Sequence, residues 1–227
     1  MLKIGITDDH TLFRKSLGLL IGDFKDMEVT LEAAHGQELL EKLEHTSIDI
    51  LLLDLQMPVM DGFETAQKVK EKHPEIKILI LTLMNDVDTV AKVLQLDVHG
   101  FFTKNTPPNE LQQAIFNLKE DGFHIEQGVQ HLMIEATTNP RFKLSIASTT
   151  PEFTETEFNV IEYTAQGLKA KEIAEKLKIS ARTVEVHKHN ILKKNGFDSM
   201  MTVMAYCYHN KIIKTGDILS KIRKNTD

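Results

Sequence analysis

Five short runs rich in Ile, Leu and Val recur through the first half of the chain, at Leu2 to Thr7, Met27 to Ala33, Ile48 to Asp54, Lys77 to Thr82 and Gly100 to Lys104. Runs of this length and composition read as buried strands. Between them lie segments with helical spacing of apolar residues: Thr11 to Gly22, Gly36 to His45, Gly62 to Lys72, Val87 to Leu96 and Pro108 to Asp121. Five strand–helix units in regular alternation predict an α/β domain, a five-stranded doubly wound parallel sheet with helices on both faces. In such a sheet ligands bind outside the carboxyl ends of the strands, so that edge is where chemistry is sought.

The alternation stops near residue 122. Residues 122 to 137 could form one more helix, and Thr137-Thr-Asn-Pro-Arg and Ala147-Ser-Thr-Thr-Pro-Glu are rich in turn formers and poor in apolar residues, as a tether would be. Beyond Pro151 the pattern is purely helical, with breaks at Gly167, at Lys178-Ile-Ser180 and at Asn195-Gly196 that give four helices. The expected layout is a first domain over 1–122, an extra helix and linker over 123–150, a separate all-α domain over 151–215 and a tail over 216–227.

Charge follows the same division. Residues 1–149 hold 14 Lys/Arg against 23 Asp/Glu, and residues 150–227 hold 13 against 10, or −9 followed by +3. That asymmetry points to different partners: a cation or metal for the first half, a polyanion for the second. The N-terminus is charged too soon for a secretory signal and no apolar run reaches the roughly 18 residues of a membrane span, so a cytoplasmic location without membrane contact is expected. A lone cysteine, Cys207, lies in a stretch patterned like a buried helix and reads as core filler.

Acidic residues fall at strand ends: Asp8 and Asp9 after the first strand, Asp54 at the end of the third. Crowded carboxylates repel one another unless a cation neutralises them, and an all-oxygen set suits Mg2+. Asp54 is then both a ligand and a candidate nucleophile toward phosphorus, giving an acyl phosphate. Thr82, a hydroxyl donor, and Lys104, a long cation, end the fourth and fifth strands and could clamp phosphoryl oxygens. One acidic strand end alone would usually be a helix cap, but five matching positions at strand ends are not explained that way.

The stretches Asp8-Asp9-His10-Thr11-Leu12-Phe13-Arg14, Asp54-Leu-Gln-Met-Pro58-Val-Met-Asp61-Gly62, Leu81-Thr82 and Gly100-Phe101-Phe102-Thr103-Lys104 together resemble a two-component response regulator of the NarL/FixJ type. The resemblance implies a flavodoxin-like receiver with strand order 2-1-3-4-5, in which Asp54 is the phosphoacceptor and Asp8, Asp9, Asp54 and the Gln56 carbonyl hold Mg2+. It implies that Thr82 and Lys104 contact the phosphoryl group, and that the donor is a sensor histidine kinase or a small acyl phosphate. Phe101 stands at the family's switch aromatic, three residues before the lysine, with ordinary core filling as the alternative role. Leu83 occupies a position where many receivers carry a small residue, which narrows entry. Gln56, Leu83 and Met84 are the positions expected to tune dephosphorylation, and an apolar Met84 offers nothing to orient a water, so slow self-dephosphorylation is expected.

In the second half, Thr154 and Glu157 have the spacing of a capping box, Ile173, Ala174 and Leu177 mark the buried face of a short second helix, and Ser180 is a natural N-cap for the third. Two short helices joined by a tight turn, the second carrying Arg182, Lys188, Lys193 and Lys194, fit a helix-turn-helix with its recognition helix in the major groove of double-stranded DNA. Lys171-Glu-Ile-Ala, Thr183-Val184, His187 and Asn190-Ile191 resemble a LuxR-type module. Ala181, Val184, Ile191 and His187 are at spacings that can face the core, leaving Arg182, Glu185, Val186, Lys188 and His189 for DNA. Lys171, Thr183, Lys193 and Lys194 complete the expected contact set. Glu185 is unusual, since relatives often place a lysine there; it either accepts a hydrogen bond from a base or points away. His187 and His189, two apart, do not share a helical face and are not expected to bind metal. In related proteins the fourth helix pairs two subunits, so Met201, Met204 and Tyr208 are candidate homodimer contacts, with burial inside the bundle as the alternative.

The resulting expectation is a phosphorylation-controlled transcription regulator, with RNA polymerase a further candidate partner and no enzymatic role beyond its own phosphotransfer and dephosphorylation. A rival within the same fold regulates DNA without phosphate. A flavodoxin-like or hydrolase enzyme would need a cofactor-binding loop or a catalytic base, and the sequence carries no Gly-rich phosphate loop.

Overall fold

The structure, a computed structural model, describes residues 1–83, 86–96, 98–105, 107–125, 127–139, 142, 151–197 and 199–213. It divides into two compact units, residues 1–85, 98–120 and 124–126 in the first and 86–97, 121–123 and 127–227 in the second.

The first unit is built on parallel strands β1 (Leu2–Thr7), β2 (Met27–Ala33), β3 (Ile50–Leu53), β4 (Lys77–Thr82), β5 (Gly100–Thr103) and β6 (His124–Ile125), in the order β2-β1-β3-β4-β5-β6. Its helices are α1 (Thr11–Gly22), α2 (Gly36–Leu43), α3 (Gly62–Lys72) and α5 (Pro108–Asp121), with α4 (Val87–Gln95) grouped in the second unit. Because side chains alternate along a strand, Ile4, Ile6, Ile50, Leu52, Leu79, Leu81 and Phe102 share one face, where they bury against Leu17 and Ile21 of α1 and Leu111, Ile115 and Leu118 of α5. The opposite face carries Leu51, Leu53, Ile78, Ile80 and Phe101, also buried. At roughly 25 cal/mol per Å² of apolar surface, such fully buried aliphatics contribute about 1.5–3 kcal/mol each. Their registers, Thr7↔Leu53, Leu53↔Ile80 and Thr82↔Thr103, bring the carboxyl ends of β1, β3, β4 and β5 into one row.

β6 was not among the expected strands. It is two residues long, too short to show a period, and it pairs Gly100 with His124 and Phe101 with Ile125, extending the sheet beyond residue 122. A side chain at Gly100 would meet the His124 carbonyl, so the bare glycine permits this approach.

Two backbone features position the site. A Cβ at Gly62 would collide with the Asp54 carbonyl oxygen, and the Gly62 N–H donates to Leu55 O at 3.0 Å, so α3 starts tight against the end of β3. In the intervening loop Val59 has φ +68° and is 80% exposed. A β-branched residue in the left-handed region is strained by about 1–3 kcal/mol. Val59→Gly is expected to raise unfolding free energy by about 1 kcal/mol, part of the relief being offset by glycine's chain entropy. Urea denaturation checks this, and an unchanged or lower stability would contradict the strain.

The second unit contains α4, α6 (Gln127–Thr138), α7 (Glu155–Ala165), α8 (Ala170–Leu177), α9 (Ala181–Asn195) and α10 (Met200–His209). The capping box forms at α7: Glu157 N–H donates to Thr154 Oγ1 at 3.3 Å and Thr154 N–H to Glu157 Oε2 at 2.8 Å. Lys178 in the left-handed region at φ 55° closes α8, and Ser180 caps α9 by accepting from Thr183 N–H at 3.0 Å. α10 is apolar on every side and sits among α4, α6, α7 and α9. Residues 143–150 of the expected linker and the expected tail, 216–227, lie outside the described residues. No described helix is long and apolar enough to cross a membrane.

Candidate functional site

The carboxyl edge of the sheet holds the five anticipated residues. Asp54 follows β3 directly; its N–H donates to Thr7 O at 2.9 Å, and its Oδ1 accepts from Leu55 N–H at 2.9 Å. Asp8 donates its N–H to Ala33 O at 3.1 Å, and its Oδ1 accepts from His10 N–H at 2.9 Å. Lys104 follows β5, its N–H bonded to Thr82 O at 2.9 Å, and its ammonium bridges Asp8 Oδ2 at 2.7 Å and Asp54 Oδ2 at 2.9 Å. All three side chains are buried, 3%, 3% and 6% exposed for Asp8, Asp54 and Lys104. The Phe13 ring lies under the ammonium, 5.0 Å from its centroid.

Electrostatics at this edge are poised around that lysine. Burial holds the Asp54 carboxyl above the usual carboxylate range; Lys104, by hydrogen bond and charge, opposes the shift, and the Asp8 charge adds to it. Ligand atoms of Asp8, Asp9, His10 and Asp54 all fall within 4.8 Å of one another. Asp9 Oδ1 is buried, accepts no hydrogen bond and lies 3.0 Å from His10 Nδ1. Three carboxylates against one lysine leave a surplus of negative charge, and oxygen donors with an unsatisfied buried oxygen fit a divalent hard cation.

Around the pocket, Thr82 is fully buried at the end of β4, Phe101 is 2% exposed, Gln56 is exposed, and Leu83 is 56% exposed. Met84, the other residue expected to tune dephosphorylation, lies outside the described residues. Sequence reasoning missed Arg14, which lies behind the site and meets it at a backbone carbonyl, not at a carboxylate: it is only 12% exposed, one guanidinium nitrogen donates to the Asp8 backbone carbonyl, and Nε lies 3.4 Å from Glu32 Oε2.

On α9 the outcome is mixed. Arg182, Val186, His189 and Lys193 follow i, i+4, i+7, i+11 spacing on one face, and all four are exposed, as are Lys171, Asn190 and Lys194. Lys194 Nζ lies 3.8 Å from Glu157 Oε2. Thr183 is half-buried, its hydroxyl 2.8 Å from Ser180 Oγ. Lys188 requires a correction. It is 4% exposed, on the core stripe with Val184, Ile191 and Asn195, and His187 is half-buried instead. The ammonium is accommodated there by Glu185 Oε1 at 2.9 Å and by the Phe123 ring 5.6 Å away. Glu185 is therefore half of an ion pair, and Lys188 is not presented to DNA in this arrangement.

The dimer candidates on α10 need the same correction: Met201, Met204 and Tyr208 are 2%, 2% and 1% exposed. The helix is covered because it has no polar face to leave in water, and α6 and α4 lie on it; His209 Nδ1 is 2.7 Å from Thr137 O. Cys207 is fully buried and burial pushes its thiol up to about 12, which leaves it an unreactive core residue.

Comparison with known proteins agrees with this geometry. Residues 4–116 match the response regulator receiver domain, and residues 151–207 match the luxR family of bacterial regulatory proteins. The oxygen regulatory protein NreC of Staphylococcus aureus strain JH9 is 33% identical over 218 residues, covering 94% of this chain and all of that protein. Among solved structures, the RcsB–DNA complex aligns with a TM-score of 0.56 at 23% identity over 92% of this chain and 98% of that one. An RcsB structure from Salmonella typhimurium aligns with a TM-score of 0.56 at 23% identity over 91% of this chain and 98% of that one, and both likenesses speak to the fold. The chain belongs to the NarL-type response regulators, a receiver domain joined to a LuxR-type helix-turn-helix.

Proposed function

We propose that a sensor histidine kinase phosphorylates Asp54 and that this raises the affinity of α9 for promoter DNA. The observation that carries the reading is Lys104 held between Asp8 and Asp54, at 2.7 and 2.9 Å, in a buried pocket with Asp9 beside it. A carboxylate oxygen of Asp54 attacks phosphorus, the O–P bond forms, the N–P bond of a phosphohistidine protonated on its other ring nitrogen breaks with its electron pair returning to nitrogen, and the imidazole leaves neutral. Asp8, Asp9, Asp54 and the Gln56 carbonyl would hold Mg2+, which when bound screens phosphoryl oxygens and supports in-line geometry. Lys104 turns its ammonium from the carboxylates to a phosphoryl oxygen, and Thr82 donates its hydroxyl to another. Lys104 leaves its resting contacts with Asp8 and Asp54 in doing so, and Phe101 on β5 is the residue whose packing reports it. Leu83, exposed at the rim, restricts the approach of water and of donors.

For the DNA half, Arg182, Lys171, Lys193 and Lys194 are assigned to phosphates, and Thr183, Val186 and His189 to the groove. Val186, 50% exposed, suits the methyl of thymine. Glu185 pairs with Lys188 through Oε1, which leaves Oε2 as an acceptor for a base amino group. A homodimer through α10 would first uncover Met201, Met204 and Tyr208.

The deciding measurement is selection of bound DNA by wild type and Asp54→Asn, each with and without a small acyl phosphate and Mg2+. Binding at least about tenfold tighter is expected only for phosphorylated wild type, a coupling of roughly 1.4 kcal/mol. Equal binding in all four conditions would show instead a regulator that works without phosphate.

A further inference from the structure

Arg14 is on α1, where a surface arginine would ordinarily extend into water, yet its side chain is 12% exposed. It reaches back along the helix: one guanidinium nitrogen donates to the Asp8 backbone carbonyl, and Nε approaches Glu32 Oε2 at 3.4 Å. Glu32 is itself anchored by Lys15, whose Nζ lies 3.1 Å from Oε1 and 3.0 Å from Oε2. The Asp8 residue is therefore gripped from two sides, its N–H by the Ala33 carbonyl on β2 at 3.1 Å and its carbonyl by Arg14.

That carbonyl belongs to the peptide that leads into Asp9. Fixing a peptide plane fixes ψ of the residue before it and φ of the residue after it, and so the direction in which the next Cβ leaves the chain. Asp9 is the carboxylate that needs such help. Asp8 and Asp54 are pinned by the buried Lys104, whereas Asp9 is 34% exposed, its buried Oδ1 accepts no hydrogen bond, and the ring beside that oxygen, His10 at 3.0 Å, is itself 65% exposed. Taking a guanidinium out of water is costly unless its charge and donors are matched, and here one donor is used on this peptide and the charge is paired with Glu32.

We propose that Arg14 is a positioning residue for the cation pocket: through the Asp8 carbonyl, and braced by Glu32, it aims Asp9 at the site that Asp8 and Asp54 complete. The proposal rests on the reading of this edge as a Mg2+ and phosphoryl site. Groups that orient ligands without touching the metal commonly change affinity by about 10–100-fold.

The test uses the full chain as wild type, Arg14→Ala, Arg14→Lys, Glu32→Gln and Asp54→Asn. Mg2+ affinity is measured by calorimetric titration, Asp54 phosphorylation by acetyl phosphate across a Mg2+ series, and folding by thermal melts. Arg14→Ala is expected to weaken Mg2+ binding about tenfold while the rate at saturating Mg2+ stays within about threefold of wild type. Glu32→Gln should shift affinity the same way by a smaller factor, and Arg14→Lys should recover part of it by restoring one donor. Wild-type Mg2+ affinity in Arg14→Ala and Glu32→Gln would overturn the proposal. So would a rate loss that saturating Mg2+ does not repair. If Arg14→Ala melts below the assay temperature, Glu32→Gln and Arg14→Lys decide by the same criterion. Failure of the underlying reading looks different: wild type would bind no Mg2+, or would be phosphorylated no better than Asp54→Asn.

Discussion

Replacing Lys104 with alanine is expected to slow phosphorylation of Asp54 by about 100–1,000-fold at saturating Mg2+, the usual loss when one aimed donor to a transferring group is removed. The resting protein should suffer as well, because Lys104 is the buried cation that Asp8 and Asp54 share at 2.7 and 2.9 Å. Breaking a buried pair by deleting one partner costs about 3–5 kcal/mol, since the other charge stays desolvated. Here two carboxylates are left facing each other, so the upper part of that range applies without metal.

The same substitution makes two condition-dependent signatures that a packing defect would not show. Added Mg2+ replaces the missing charge and stabilises by mass action, so the melting temperature of Lys104→Ala should rise with Mg2+ far more than that of wild type. The pH dependence follows from Asp54, whose carboxyl burial already holds above its usual 3.8. A carboxyl raised in the folded state binds its proton more tightly there than in the unfolded chain. Its contribution to stability is therefore complete below 3.8 and is lost as pH rises through the higher folded value. Without Lys104 that folded value moves further up. The deficit of the variant should shrink as the solution is acidified through this window, and a deficit independent of both Mg2+ and pH would argue that Lys104 only fills space.

Why the pocket was legible and other features were not has a physical basis. Asp8, Asp9, Asp54, Thr82 and Lys104 each stand at or just past the end of a short strand-like run, and a parallel sheet places the ends of such runs side by side whatever the loops do. No comparable rule reaches Arg14, because its partners Asp8 and Glu32 meet only through the β1–β2 pairing. Lys188 was misassigned for another reason: residues three and four positions after Val184 can both turn to the core, and polarity favoured placing His187 there. The structure buries Lys188 because Glu185 and Phe123 satisfy its charge, and Phe123 lies 65 residues away in sequence where no helical period can register it. α10 presents the converse difficulty. A helix apolar all round states that it is covered but not by what, and the partner surfaces supplied by α6 and α4 are invisible in its own residues.

On the DNA side, a double substitution of Arg182 and Lys193 by alanine is expected to weaken binding to a random-sequence duplex about 10–100-fold at low salt. Both side chains are exposed and lie on the α9 face that also carries Val186 and His189, where a helix in the major groove meets backbone at its flanks. If each cation neutralises one phosphate, the plot of log affinity against log salt loses about 0.9 in slope per residue, about 1.8 together. Fluorescence anisotropy between about 50 and 200 mM salt measures that difference directly. Lys188→Met supplies the internal contrast. Its ammonium is buried against Glu185, so removing it should leave the slope near that of wild type while changing the stability of the second unit. An unchanged slope in the double variant would remove Arg182 and Lys193 from the phosphate contacts. A slope lowered by Lys188→Met as much as by either single substitution would mean that Lys188 leaves its resting place and meets the phosphates when DNA is bound.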